Sequence, residues 1–295
     1  MTNRSTMRHI IYIRGILAVA CCVLAMVPTL AQAPAVSLKM VHTNDTHSCV
    51  LPISKHAADT AQADKGGFLR RAALLRGLRA DDPELLLFDS GDFSQGSAFY
   101  NIYKGEVEVK LMNEMGYDAA TLGNHEFDFG LDNLARLIRM AKFPFVCANY
   151  KVEGTPLAGL VKPYVVIARK GLRIGVTGLG ADPDGLVAKA NYGALVYEDP
   201  VASLNAVARQ LREVEHCDLV VCLSHLGWGI DGVDDTEVVP QLHGVDVVLG
   251  GHSHTYFEQP RVLTDADGHN VYCNQMGKNG RYVGLLVLDM QPAAQ

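Results

Sequence analysis

The chain has 295 residues, 48% of them apolar and 20% charged, with no repeat or low-complexity tract, which excludes a disordered tail protein and a solenoid. Its net charge is −6, from 26 basic and 32 acidic residues. An acidic body is a poor counter-ion for a polymeric phosphate backbone, so no nucleic-acid polymer is expected as a partner. Any phosphate the chain handles must be attracted by something other than net charge.

Arg4, Arg8 and Arg14 precede an apolar run from Gly15 to Val27, followed by Pro28 and small residues ending in Ala31-Gln32-Ala33. This is the order of charged, apolar and small-residue regions in a secretory signal peptide, expected over 1–33 with a short leader of the mature chain over 34–37. Its removal leaves 23 basic against 32 acidic residues, a net −9. The apolar run is short for a bilayer span, so no stable membrane anchor is expected and the protein is placed in the periplasm or outside the cell. Cys21 and Cys22 lie inside the apolar run without the leucine that usually precedes a lipidated cysteine. The other five cysteines are an odd number in a long chain and read as no disulfide framework; Cys147 and Cys222 read as buried small hydrophobes.

Strands are expected over Val36–His42, Leu85–Phe88, Ala119–Leu122, Phe145–Ala148, Tyr164–Ala168, Arg173–Gly178, Leu219–Leu223, Val245–Leu249, Val271–Asn274 and Val283–Leu288. Helices are expected over Gly67–Arg79, Gly105–Met115, Leu131–Ala141 and Pro200–Glu213. Such alternation implies one α/β domain with largely parallel strands and covering helices, spanning 38–290, with a tail over 291–295.

Five polar clusters each follow a strand: Asn44-Asp45-Thr46-His47, Asp89-Ser90-Gly91-Asp92, Gly123-Asn124-His125-Glu126, Ser224-His225 and Gly250-Gly251-His252-Ser253-His254. The carboxyl ends of strands form the ligand crevice of α/β sheets, so these clusters converge on one edge. His252 and His254 alternate about Ser253 and would point the same way from an extended segment. His9, His42, His56, His216, His243 and His269 are read as spectators. Mixed carboxylate, imidazole and amide donors without thiolate suit Mn²⁺, Zn²⁺, Fe or Co. The donors are too many for one tetrahedral ion, and two divalent ions would supply about four positive charges to hold an anionic substrate. Asp89 reads equally as a supporting carboxylate or a turn cap, Gly66-Gly67 as a helix opening, and Trp228 as core.

These segments resemble the 5′-nucleotidase branch of the calcineurin-like metallophosphoesterases: His42 to His47, Asp89 to Ser97, Leu122 to Gly130, Ser224 to Gly227 and Gly250 to His254 match its blocks in order over roughly residues 38–290. The resemblance implies a four-layer α/β/β/α sandwich of two mixed sheets. It implies that Asp45, His47 and His254 hold one divalent metal, that Asn124, His225 and His252 hold the other, and that Asp92 bridges them. His125 would face the substrate phosphate beside Asn124, with Asp128 orienting it, so that Asn124, His125 and Asp128 are the expected catalytic residues. The expected reaction is hydrolysis of a nucleotide by a metal-bridging hydroxide. Cyclic-nucleotide or UDP-sugar hydrolysis on the same centre is the alternative. Family nucleotidases carry a C-terminal nucleoside-binding domain that this sequence lacks, so a separate partner chain supplying that domain is a further expectation.

Overall fold

The computed structural model describes residues 35–290, so the signal peptide expected over 1–33 and the tail over 291–295 lie outside the described residues. Fourteen strands are formed: β1 (Val36–Thr43), β2 (Leu86–Asp89), β3 (Ala119–Ala120), β4 (Phe145–Val146), β5 (Tyr150–Lys151), β6 (Val161–Lys162), β7 (Tyr164–Arg169), β8 (Leu172–Leu179), β9 (Val196–Tyr197), β10 (Leu219–Ser224), β11 (Val247–Leu249), β12 (Arg261–Thr264), β13 (Asn270–Asn274) and β14 (Gly284–Met290). They build two six-stranded sheets, ordered β14-β1-β2-β3-β4-β6 and β12-β13-β11-β10-β8-β7, while β5 and β9 pair separately. In the first sheet only β14 is antiparallel to its neighbour. In the second, β8, β10, β11 and β13 are parallel and β7 and β12 run antiparallel at the edges. The largely parallel arrangement expected from strand–helix alternation therefore holds within the centre of each sheet, and the whole is the two mixed sheets that the resemblance implied.

The period-2 alternation of the strands divides their side chains between layers. Leu38 and Met40 of β1 and Leu86 and Phe88 of β2 meet Ile174, Val176, Val221, Leu223, Val247 and Leu249 between the sheets. Val41 and Leu87 face the other way, against Leu75 of α1 (Phe68–Asp81), Val109 and Met112 of α3 (Glu106–Met115) and Leu134 and Leu137 of α4 (Gly130–Met140), which α2 (Ala98–Tyr103) precedes. Outside the second sheet, Leu204 and Ala208 of α6 (Pro200–Arg209) and Val238 of α7 (Asp235–Val238) cover Val220, Cys222 and Val248, while the short α5 (Lys189–Tyr192) packs near α4. The result is four layers, α/β/β/α. Each fully buried Leu or Phe of the middle layer contributes about 1.5–3 kcal/mol.

Local sequence sets the element ends. Asp199 accepts from the Ala202 amide and Pro200 follows it, which starts α6; Ser97 and Asp234 cap α2 and α7 in the same way. The helix expected to run to Glu213 changes at Gln210 to a π turn over Gln210–Val214. The expected leader overlaps β1, because Val36 and Ser37 already pair with Met290 and Asp289. The strand expected over Ala119–Leu122 forms only a two-residue ladder, since Thr121 and Leu122 leave it to begin the turn at Gly123. β5, β6, β9 and β12 are short or exposed and carry little apolar alternation. Cys147 and Cys222 are buried, and all five described cysteines are unpaired. Trp228 packs edge-on against Phe257 at 5.0 Å. Among the described residues no helix is long and apolar enough to cross a membrane.

Candidate metal centre

All five polar clusters stand at the carboxyl ends of strands, three on the first sheet (after β1, β2 and β3) and two on the second (after β10 and β11). Backbone bonds lace these loops together. The Asp45 amide donates to the Gly91 carbonyl, the His47 amide to the Asp92 carbonyl and the Ser90 amide to the Thr43 carbonyl, each at 2.9 Å. The Ser90 hydroxyl crosses to the Leu249 carbonyl at 2.6 Å and so joins the two sheets.

Two donor clusters result. In one, single donor atoms of Asp45, His47 and His254 lie within 4.8 Å of one another; in the other, those of Asp92, His225 and His252 do. The Nε2 atoms of His47 and His254 are 2.9 Å apart, and His254 Nε2 is 3.6 Å from Asp45 Oδ1. His225 Nε2 lies 3.2 Å from Asp92 Oδ2 and 4.0 Å from Asp45 Oδ1. Asp92 also groups with His47 and His125, which places its carboxylate between the clusters. Asn124 is adjacent by chain geometry, since the next amide, that of His125, donates to Asp92 Oδ1 at 2.9 Å. Its Oδ1 is buried and has no protein partner. His225 Nδ1 bonds the Ser90 carbonyl at 2.6 Å, which aims Nε2 into the cluster.

The backbone is unusual here. Among the described residues twelve non-glycine positions have left-handed φ, and five of them are Asp45 (48°), His47 (42°), Asp92 (54°), His252 (69°) and His254 (55°). Such conformations are costly for L-residues and collect at functional sites. The extended segment expected for His252 and His254 is therefore replaced by two left-handed residues. Gly91, Gly123 and Gly251 permit the close approach: a Cβ on Gly251 would stand 2.8 Å from His225 Nδ1 and 2.9 Å from the Ser90 carbonyl.

Electrostatics divides the site. Burial holds the His47 imidazole below its ordinary range and lowers His252 and His254 to about 4, so these rings are neutral and have free lone pairs at pH 7. Burial raises Asp45 to about 7. Burial would also lower His225, but the Asp92 carboxylate beside it prevails and lifts it to about 10. Burial pushes Asp92 up, and the charge on His225 outweighs that and holds it well below the carboxylate range. His125 is raised, first by its bond from Nδ1 to Asp128 Oδ2 at 3.0 Å. That bond leaves its Nε2 free, on a side chain 31% exposed.

Several supporting residues escaped sequence reasoning. Glu126 accepts from the amides of Asp92 (2.9 Å), Ser94 (3.0 Å) and Gly123 (2.7 Å), and so fixes two of the loops. Asn44 donates to Asp45 Oδ2 at 2.6 Å, and Gln275 Nε2 donates to the Gly251 carbonyl at 2.8 Å. Glu126 and Asn44 did leave a signal, their places beside His125 and Asp45 in the polar clusters, whereas Gln275 left none. Asp89 caps its turn, taking the Gly91 amide at 3.0 Å, and also takes the Thr43 hydroxyl at 2.6 Å. Gly66 and Gly67 open α1 from left-handed φ of 74° and 90°.

Comparison with known proteins agrees with this geometry. A rat 5′-nucleotidase is 32% identical over 285 residues, covering 90% of this chain and 48% of the relative. A snake venom 5′-nucleotidase of Gloydius brevicauda is 33% identical over 268 residues, covering 84% and 44%. The chain thus spans about half the length of the curated relatives it matches. The crystal structure of a 5′-nucleotidase precursor from Thermus thermophilus superposes with a TM-score of 0.75 at 32% identity, over 88% of this chain and 55% of that one. A Haemophilus influenzae NAD nucleotidase superposes at 0.78 and 26%, over 88% and 54%. Residues 38–256 match the family model for the calcineurin-like phosphoesterases, and with the two-sheet fold and the converging donors this shows that the chain belongs to that family.

Proposed function

We propose that this chain is a metal-dependent phosphoester hydrolase acting on nucleotides and related small phosphate monoesters. The observation that carries the reading is a buried acceptor with no protein partner, Asn124 Oδ1, beside the Asp92 cluster. Left unmet it would cost about 1–3 kcal/mol, and a divalent ion meets it. Asp45, His47 and His254 would hold one ion, Asn124, His225 and His252 a second, and Asp92 would serve both. The donor set, imidazole, carboxylate and amide without thiolate, fits Mn²⁺, Zn²⁺, Co²⁺ or Fe. When bound, such ions supply an activated water at neutral pH and neutralise charge on the phosphoryl oxygens.

The chain's own groups do the rest. His125, kept charged by Asp128, would present Nε2 to a phosphoryl or leaving oxygen and protonate the latter. The Asn124 side-chain NH₂ would reach phosphate while its Oδ1 faces the centre. The Arg4 to Ala33 segment supports export to the periplasm or beyond, and one similar protein is a venom enzyme. A nucleoside-binding domain on a separate chain is the proposed source of any selectivity for nucleotides over other monoesters.

The test is a substrate panel on the purified full chain loaded with Mn²⁺ or Zn²⁺: AMP, p-nitrophenyl phosphate and its bis ester, cyclic nucleotides and UDP-glucose. Monoester hydrolysis that stops with EDTA and returns with added ion is expected. Preference for the bis ester or UDP-glucose would favour the alternative substrates. Undiminished turnover after exhaustive chelation would end the metal reading.

A further inference from the structure

We propose that the turn between β12 and β13 holds a second, separate cation site, taking one divalent transition ion, zinc first, through Asp265, Asp267 and His269. One donor atom from each of the three lies within 4.8 Å of the others. Acidic surface groups cluster often without an ion, and the distinguishing observation is Asp265. Its side chain is only 1% exposed, and Oδ1 takes the amides of Asp267 (2.9 Å) and His269 (2.7 Å). Its Oδ2 has no hydrogen-bond partner and faces His269 Nδ1 at 3.7 Å. A buried carboxylate oxygen left without a donor is costly, and a cation held between it and the imidazole nitrogen would satisfy both.

The surroundings suit an ion that enters from solvent. The side chains of Asp267 and His269 are 45% and 76% exposed. His243 Nδ1 lies 2.9 Å from Asp267 Oδ2, where it can orient that carboxylate from the loop before β11. The Ala266 amide bonds the Leu242 carbonyl at 3.0 Å and keeps hairpin and loop together. Two carboxylates and an imidazole match zinc better than calcium or magnesium, which favour all-oxygen shells. The site is distinct from the centre described above. β13 runs parallel to β11 and reaches that centre at its far end, where the Asn274 carbonyl takes the Gly250 amide. The turn lies at its near end, about 16 Å of strand away. An ion here would fasten the edge hairpin to the β10–β11 connection.

The test counts ions. Full-length wild type, Asp265→Asn and His269→Gln are equilibrated with zinc, freed of unbound metal and analysed for zinc per chain. Asparagine keeps an Oδ1 for the turn and His269 is exposed, so both variants fold, which circular dichroism checks. Each variant is expected to hold one ion fewer than wild type and to bind that ion at least about tenfold more weakly. Zinc should also slow amide exchange over Asn270–Asn274 more in wild type than in either variant. The difference between proteins does not depend on how many ions the other centre takes. Equal zinc in all three, or an equal exchange response in all three, overturns the proposal.

Discussion

His125 is held by its ring on Asp128 Oδ2 and by its backbone, whose amide donates to Asp92 Oδ1 and whose carbonyl takes the Tyr100 hydroxyl at 3.1 Å. Replacing the ring should leave the donor clusters intact. His125→Asn is therefore expected to keep its metal content and lose about a hundredfold to ten-thousandfold in kcat, measured on ion-counted protein. Asp92→Asn is the contrast: it should lose metal and turnover together. His42 supplies a different residue-scale test. Both its ring nitrogens are buried without partners, and burial lowers it to about 3 from 6.5. The unfolded chain takes up a proton below about pH 6.5 that folded His42 refuses until about 3, so its stabilising effect is whole above that window and lost as pH falls through it. The stability gap between wild type and His42→Ala, from urea midpoints, should shrink between about pH 7 and pH 4; a constant gap would refute it. The donor residues were legible because each follows an apolar run directly. His42 was read as a spectator, and Glu126 was passed over, because what matters for both is a burial and a partner set that sequence spacing does not carry.

At the level of elements, the β1–β14 pairing sets His42 opposite Gly284. A Cβ on Gly284 would overlap the His42 ring, so this glycine is there to make room. Gly284→Ala should destabilise by about 1–3 kcal/mol, and His42→Ala in the same chain should recover part of that loss. Fully additive urea unfolding energies would show that the two positions do not touch. Long strands such as β1, β8 and β10 and helices α1, α3, α4 and α6 were readable from period and length. β3 and β4 were expected as four-residue strands over Ala119–Leu122 and Phe145–Ala148 and pair over two residues each, whereas β5, β6, β9 and β12 are short or exposed and no local pattern announces them. The left-handed residues of the site were likewise hidden. Aspartate and histidine in that conformation look like any others, and the fold imposes it from the lacing of adjacent loops.

For the molecule as a whole, donors from both sheets meet, so bound ions would add to the cohesion of the sandwich. Ions that bind the folded chain alone raise its stability, by about 2.7 kcal/mol at a hundredfold excess over Kd. Chelation is thus expected to lower the Tm, and re-addition of Mn²⁺ or Zn²⁺ to restore it, rising with the logarithm of ion concentration above Kd; an unmoved Tm would contradict the proposed centre. Strand–helix alternation revealed the α/β class but not the partition into two sheets, which depends on which strands pair across long intervals. That partition follows chain order closely. Everything up to Lys162 except the separate β5 strand serves the first sheet and carries Asp45, His47, Asp92 and Asn124. The stretch from Tyr164, apart from β9, builds the second sheet and carries His225, His252 and His254, until β14 returns to lie along β1. During synthesis, then, the early groups emerge long before the late ones, and no portion of the nascent polypeptide offers a finished cradle. Capture of a cation by the proposed centre would therefore wait until both sheets have been made and have docked.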